Sequence, residues 1–301
     1  MLTDGVLGGV RVGRLVRMWV VPVALVLALL VCQLESGLVD TGLVVPEGST
    51  WLTGEFRRMD IGDGAIDYCV ALGEEWGVEP GELMALCMLS NDYSMTVEGL
   101  GAMEQGMVRR CLRRLYLQWN DEFAELAKAC TALLKDSEGS VFPVPMSSNE
   151  RVKWVEYIDS WGYERTYGGE RSHEGTDIFA IDNVRGRLPV VSMTDGTVSA
   201  KGWLELGGYR LGITSGNGVY YYYAHLDSYA EGLEVGDEVH AGQLIGLMGD
   251  SGYSRVPGTK GYFPVHLHLG MYIYRDGMEL SINPYGWLRA SEGQMRIYDY
   301  Y

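Results

Sequence analysis

Two textures divide the chain, and the change falls near residue 136. Across residues 60–135 apolar positions recur at three- and four-residue steps, in AIDYCVALGEEW, in GELMALCMLS and in VRRCLRRLYLQWNDEFAELAKACTALLK. That period places an apolar stripe along each helix and predicts a small helical module, a bundle or hairpin that buries the stripes. Pro80 stands where a helix can begin. In DSEGSVFPVPMSSNE, Pro143 and Pro145 cannot join a helix interior, so residues 136–150 read as a linker. Beyond it, LPVVSMTDGTVSAKGW, YRLGIT, GVYYYYAHL, QLIGLMGDSG and HLHLGMYIY show alternation and close-set turn signals. They predict a mainly-β domain over residues 151–290, followed by a tail, 291–301. The fold class is therefore α+β.

A third pattern precedes both. Arg11, Arg14 and Arg17 lead into an apolar run from Met18 to Cys32, and no charge appears between Arg17 and Glu35. Those 17 residues would span about 26 Å as a helix, enough to enter a bilayer core of ~30 Å. Basic residues before the run and acidic ones after it predict an N-in, C-out orientation. The expectation is a cytoplasmic tail and transmembrane signal-anchor over residues 1–37, with residues 38–59 as a linker. The rest would lie outside the cell membrane, or be secreted if the run is cleaved as a signal peptide.

Composition narrows the partners. Of 301 residues 47% are hydrophobic and 21% charged, so disorder is not the reading, and the length suits two domains. A formal net charge of -16 argues against nucleic acid, whose binding rests on cationic side chains. The cluster Arg109, Arg110, Arg113 and Arg114 reads as a solvated helix face. Cys69, Cys87, Cys111 and Cys130 all fall in the helical segment. They could form two disulfides, in three connectivities, or remain buried thiols. VEPGELMALCMLSNDYS resembles the opening helix of lysozyme-like transglycosylases, but Ser90 stands where that family has its acidic glutamate. Without the carboxylate nothing protonates a glycosidic oxygen.

The chemistry lies among the histidines. His266 and His268, two apart in VHLHLGMYI, share one face of a strand and can both approach one centre. RSHEGTDI contributes His173 and Asp177, and imidazole and carboxylate are ordinary ligands of catalytic Zn²⁺. The same segment superficially suggests H-E-x-x-H, but its fifth position is aspartate and Gly175 disfavours a helix. It reads instead as a turn entering a strand, TDIFAI, with Glu174 an exposed turn carboxylate. His240, in DEVHAGQ, reads as exposed and non-catalytic. Tyr220 to Tyr223 alternate across a strand, some rings toward the core and some toward a cleft.

HEGTD followed by AHLD, VGDEVHAGQLIGLMGDSG and HLHL resembles the M23 metallopeptidases of the lysostaphin and LytM type, motif by motif and in order. The likeness covers residues 140–288, and Asp195, Gly196, Gly242, Gln243, Gly246, Gly249 and Gly252 fall at its turn positions. It implies an antiparallel catalytic domain in which His173, Asp177 and His268 bind one Zn²⁺. His225 and His266 would be catalytic imidazoles, and Tyr167 would help stabilise an oxyanion. The implied activity is a zinc endopeptidase acting on peptidoglycan cross-links or stem peptides, with a cell-envelope protein as a further partner of the helical module. The alternative is a non-enzymatic scaffold or hydrolase activator in an envelope or sporulation complex.

Overall fold

The computed structural model describes residues 54–149, 154–167, 169–275 and 278–300. The expected anchor, residues 1–37, and most of the expected linker 38–59 lie outside the described residues. Among those described, no helix is long and apolar enough to cross a membrane.

Helix α1 (Gly54–Arg58) leads through β1 (Asp60–Ile61) into α2 (Ala65–Trp76), α3 (Pro80–Ser90), β2 (Ser94–Met95), α4 (Val97–Gly101) and the long α5 (Gln105–Ser137). Helix α5 is broken at Trp119, whose φ of -138° and ψ of 46° are not helical. Short strands follow: β3 (Met146–Ser147), β4 (Val155–Glu156), β5 (Glu164–Arg165), β6 (Arg171–Ser172), β7 (Thr176–Ala180) and β8 (Pro189–Val191). Then come β9 (Gly196–Leu204), β10 (Gly208–Ser215), β11 (Tyr220–Tyr229), β12 (Glu238–Val239), β13 (Leu244–Met248), β14 (His266–Arg275) and β15 (Met278–Ile282). Helix α6 (Tyr285–Ser291) and β16 (Ile297–Tyr298) come last.

The helical module forms as its periodicity predicts, with one difference. Helix α3 is not striped: Leu83 through Leu89 are each at most 1% exposed, so it runs as a buried central helix. It can lie this close to α5 because residue 81 is glycine. A Cβ there would sit 2.0 Å from Thr131 Oγ1 and 2.7 Å from the Ala127 carbonyl oxygen. Cys69, Cys87, Cys111 and Cys130 are buried thiols. Burial pushes the Cys87 thiol up to about 11, and burial beside Cys87 pushes Cys69 up to about 12, so neither is a ready thiolate. Ser90 donates to the Leu86 carbonyl inside its own helix, 2.8 Å away. Arg109, Arg110 and Arg113 are exposed, and Arg109 donates to the Trp76 carbonyl at the end of α2.

The sheet runs in the order β12-β9-β10-β11-β14-β7-β4, with β13 also on β11, β8 on β13 and β15 on β14. Its pairings are antiparallel. Alternation decides which face each residue takes. Leu211 and Ile213 of β10, Tyr221 and Tyr223 of β11, and Leu267, Leu269 and Met271 of β14 are buried in the core. Their alternates Arg210, Tyr220, Tyr222, His268 and Tyr272 line a groove on the other face.

Three boundary expectations are corrected. The linker 38–59 ends in helix α1, because Phe56 and Met59 are buried and Arg57 Nε donates to the Ser281 carbonyl at 2.8 Å. Residues 136–150 are not a free linker, since proline forbids a helix but not burial. Val141, Phe142 and Val144 are at most 2% exposed, and the Val141 amide donates to the Met193 carbonyl. The tail 291–301 is tied down by parallel pairing of β16 with β3, and the Tyr298 hydroxyl donates to the Gly242 carbonyl at 2.6 Å.

These ties, with others between the helices and the sheet, make the described parts one compact unit. Asp136 of α5 accepts from Asn217 Nδ2 at 2.7 Å and from the Tyr221 hydroxyl at 3.1 Å. Arg289 of α6 pairs with Asp63 at 2.9 Å.

Candidate metal centre and groove

Strands β7 and β14 lie side by side with His268 opposite Asp177 and His266 opposite Phe179. The turn before β7 brings His173 to the same place. His268 Nδ1 lies 2.9 Å from Asp177 Oδ1, His173 Nε2 lies 3.1 Å from the same oxygen, and the two nitrogens are 3.0 Å apart. Two imidazole nitrogens and one carboxylate oxygen thus converge within about an ångström of the ~3.3 Å edge of a tetrahedral zinc site. His173 Nδ1–H donates to the Ser160 carbonyl at 3.0 Å, which fixes its tautomer and leaves Nε2 as the ligand atom. The residues fit a metal ion.

Gly175 makes this convergence possible. A Cβ at that position would sit 2.6 Å from His268 Cε1 and 2.6 Å from the Leu269 carbonyl oxygen. Burial alone would raise the Asp177 carboxyl. The close-set imidazoles of His173 and His268, with His266 beside them, outweigh it and hold the group well below the usual carboxylate range. Asp177 is a resident anion at any ordinary pH.

The other two histidines flank the cluster. His225 and His266 have ring centroids 4.7 Å apart, and His266 Nε2 lies 3.8 Å from Asp177 Oδ1. His225 Nδ1–H donates to the Ser251 carbonyl at 2.7 Å, and His266 Nδ1–H donates to the Pro264 carbonyl at 2.8 Å. Each ring therefore keeps Nε2 as a free lone pair. Burial, reinforced by His266 and His268, holds His225 well below 6.5, and burial lowers His266 despite Asp177. Both are neutral imidazoles fit to accept a proton.

His225 has a φ of 61°, the left-handed region, within β11. The cause is a bulge: Tyr209 pairs with Leu226 and Leu211 with Tyr223, so Arg210 alone faces Ala224 and His225. The His225 amide is held by the Gly207 carbonyl at 2.8 Å. Strain of this kind persists only where the surroundings hold it, and here it sits at the candidate site.

His173, Asp177, His225, His266 and His268 are thus brought together. Tyr167 is not. Its hydroxyl donates to the Tyr253 carbonyl at 2.5 Å and its ring stacks on Tyr253, which in turn packs against His225. His240 is exposed beside Asp195. Glu174 differs from the turn carboxylate expected of it: Arg57 and Ser281 both donate to it, joining α1 to β15 at the groove rim. Arg165 carried no sequence signal, yet it pairs with Asp177 Oδ2 while Oδ1 faces the imidazoles. The groove, about 650 Å³, runs from this cluster past Tyr222, Tyr220 and Tyr272.

A buried His–Asp–His cluster beside two neutral imidazoles, at the floor of an open groove, is a metallohydrolase site. Residues 171–284 match Peptidase family M23. An L-Ala--D-Glu endopeptidase of Bacillus subtilis (strain 168) is 44% identical over 171 residues, 57% of this chain and 49% of the relative. Glycyl-glycine endopeptidase ALE-1 of Staphylococcus capitis is 35% identical over 128 residues, 40% of this chain and 31% of the relative. A crystal structure from Ruminococcus gnavus ATCC 29149, provisionally assigned as a glycyl-glycine endopeptidase lytM, superposes with a TM-score of 0.65 at 41% identity. That match covers 83% of this chain and 94% of the other, so it takes in the helical module as well as the sheet. The chain spans about half the length of the first curated relative and about a third of the second. It belongs to peptidase family M23.

Proposed function

We propose that the protein is a zinc-dependent endopeptidase that hydrolyses peptide bonds of peptidoglycan. The observation that carries this reading is the complete set of five groups: three ligands within 3.1 Å of one another, and two imidazoles whose Nε2 atoms are free. Bound Zn²⁺ would supply Lewis acidity, polarising a carbonyl and acidifying water. His173, Asp177 and His268 would hold it, and Arg165 would keep Asp177 in place through its second oxygen. One of His225 and His266 takes a proton at Nε2 from the attacking water and returns it to the departing amine. The other, once it carries a proton at Nε2, donates to the developing oxyanion. Tyr167 would have to leave the Tyr253 carbonyl to take that second role.

The relatives suggest two scissile bonds for this chain, L-Ala–D-Glu and glycyl-glycine. The N-terminal apolar run supports a single-pass anchor with the catalytic unit outside the cytoplasm. Accessibility of the catalytic unit to protease added to intact cells tests that topology, and protection from it would reject it.

The purified chain, incubated with peptidoglycan of several chemotypes, should release fragments with new amine and carboxyl termini, read by mass spectrometry. Release should stop on chelation and return with Zn²⁺. A folded, zinc-loaded chain that cleaves none of them would overturn the reading.

A further inference from the structure

The groove holds a cation that nothing in the catalytic arrangement uses. Arg210 of β10 lines it, half-buried, and its Nη1 is shut off from solvent with no hydrogen-bond partner among the described residues. Neighbouring charges are engaged: Arg165 with Asp177, Glu174 with Arg57 and Ser281, and Glu279 with the Tyr274 hydroxyl at 2.9 Å. A buried guanidinium N–H left unpaired is costly, and its best-matched partner is a planar carboxylate that can accept two parallel bonds.

The bulge says where that partner would lie. Arg210 is the single residue facing Ala224 and His225, and Ala224 is in turn paired with His268. With strands about 4.8 Å apart, Arg210 stands one strand from a catalytic imidazole and two from a metal ligand. A peptide residue advances only about 3.4 Å along an extended chain, so an amide held at the cluster puts its neighbouring residue within the reach of Arg210.

We propose that Arg210 is the specificity residue of the groove, and that it binds a free carboxylate on the residue adjoining the scissile bond. This deepens the endopeptidase reading and rests on it: the substrate is an acidic peptide. It also decides between the two bonds. A glutamate in a peptide has two carboxyl groups, and whichever one joins the chain, the other remains as a charge on that residue. Glycine offers none. Arg210 therefore favours a bond beside glutamate over one between glycines.

The test compares two peptides, L-Ala–γ-D-Glu–L-Lys and the same peptide with the α-carboxylate of its glutamate converted to the amide. The zinc-loaded full chain should prefer the carboxylate in kcat/KM by about 10- to 100-fold, the range of a charge-assisted hydrogen bond. The preference should appear chiefly in KM. In Arg210→Gln the ratio should fall toward one, and Arg210→Lys should recover part of it. Zinc content and the thermal midpoint of each variant establish that it is folded. A wild type without preference, or an Arg210→Gln that keeps it, overturns the proposal while leaving the endopeptidase standing. If the zinc-loaded chain cleaves neither peptide and no peptidoglycan, the endopeptidase reading falls instead. Calorimetric binding of the same two peptides then still decides Arg210: tighter binding of the carboxylate supports the proposal, and equal binding overturns it.

Discussion

Replacing Gly175 by alanine should disable the metal centre through a single methyl group. The added Cβ would sit 2.6 Å from both His268 Cε1 and the Leu269 carbonyl oxygen. That is about 0.9 Å inside the ~3.5 Å at which non-bonded carbons rest. Neither neighbour can yield freely. The His268 ring is held by Asp177 at 2.9 Å, and Leu269 is locked in β14 opposite Thr176 of β7. The strain should lower global stability by about 1–3 kcal/mol, the usual cost of overpacking. Displacing a ligand by nearly an ångström should weaken zinc binding by about 10- to 100-fold, as lost ligand support does. Turnover should fall by about 100-fold even at saturating metal, because reacting groups tolerate little misplacement. Competition with a chromophoric chelator reads the affinity, and kcat/KM on a peptide substrate reads the chemistry. Gly216→Ala, which meets nothing within 4 Å, serves as the control. If Gly175→Ala binds zinc within twofold of wild type and turns over normally, the close-approach argument is wrong.

Four further outcomes follow from the site and its supports. His225→Ala should retain zinc yet lose about 100- to 10,000-fold in kcat, and loss of metal instead would reassign it as a ligand. Because burial holds His225 well below 6.5 and the neutral ring is the active form, the acid limb of kcat/KM should fall below pH 6.5. A limb above that value in fully zinc-loaded protein would contradict the assignment. Arg165→Met leaves Asp177 Oδ2 without its guanidinium, so zinc affinity should drop by about 10- to 100-fold while the fold persists, and unchanged affinity would remove Arg165 from the site. Burial raises the Asp136 carboxyl above 3.8 despite hydrogen bonds from Ser215, Asn217 and Tyr221. The folded state then holds its proton longer than the unfolded one, so wild-type stability falls as pH rises from 3.8 through the folded value. Asp136→Asn should lack that fall, and parallel pH profiles of the thermal midpoint would refute it.

What could be read from the chain and what could not separate along physical lines. Residues that declare themselves by type and local spacing were legible: His173 and Asp177 in one turn, His266 and His268 on one strand face, the alternation that sends Tyr221 and Tyr223 inward. The helical periodicity was legible too, although it could not distinguish a striped helix from α3, which is buried on every side. Residues whose meaning depends on a distant partner were not. Glu174 reads as a solvated turn carboxylate until Arg57 and Ser281 arrive from α1 and β15, and Arg165 is one more loop arginine until the chain folds back on β7. Val141 and Phe142 failed for another reason: two prolines exclude a helix, and that exclusion is easily mistaken for exposure.

The bulge between β10 and β11 carries this argument furthest. Alternation assumes an unbroken register, and under it Arg210 is an ordinary polar residue between Tyr209 and Leu211. One extra residue on β11 turns His225 into the left-handed region toward the metal centre and sets Arg210 alone across from it. The placement of His225 and the placement of Arg210 thus come from a single irregularity in pairing. A change that restored regular register, such as deletion of Ala224, would therefore disturb turnover and selectivity together, whereas substitution of Arg210 itself should separate them.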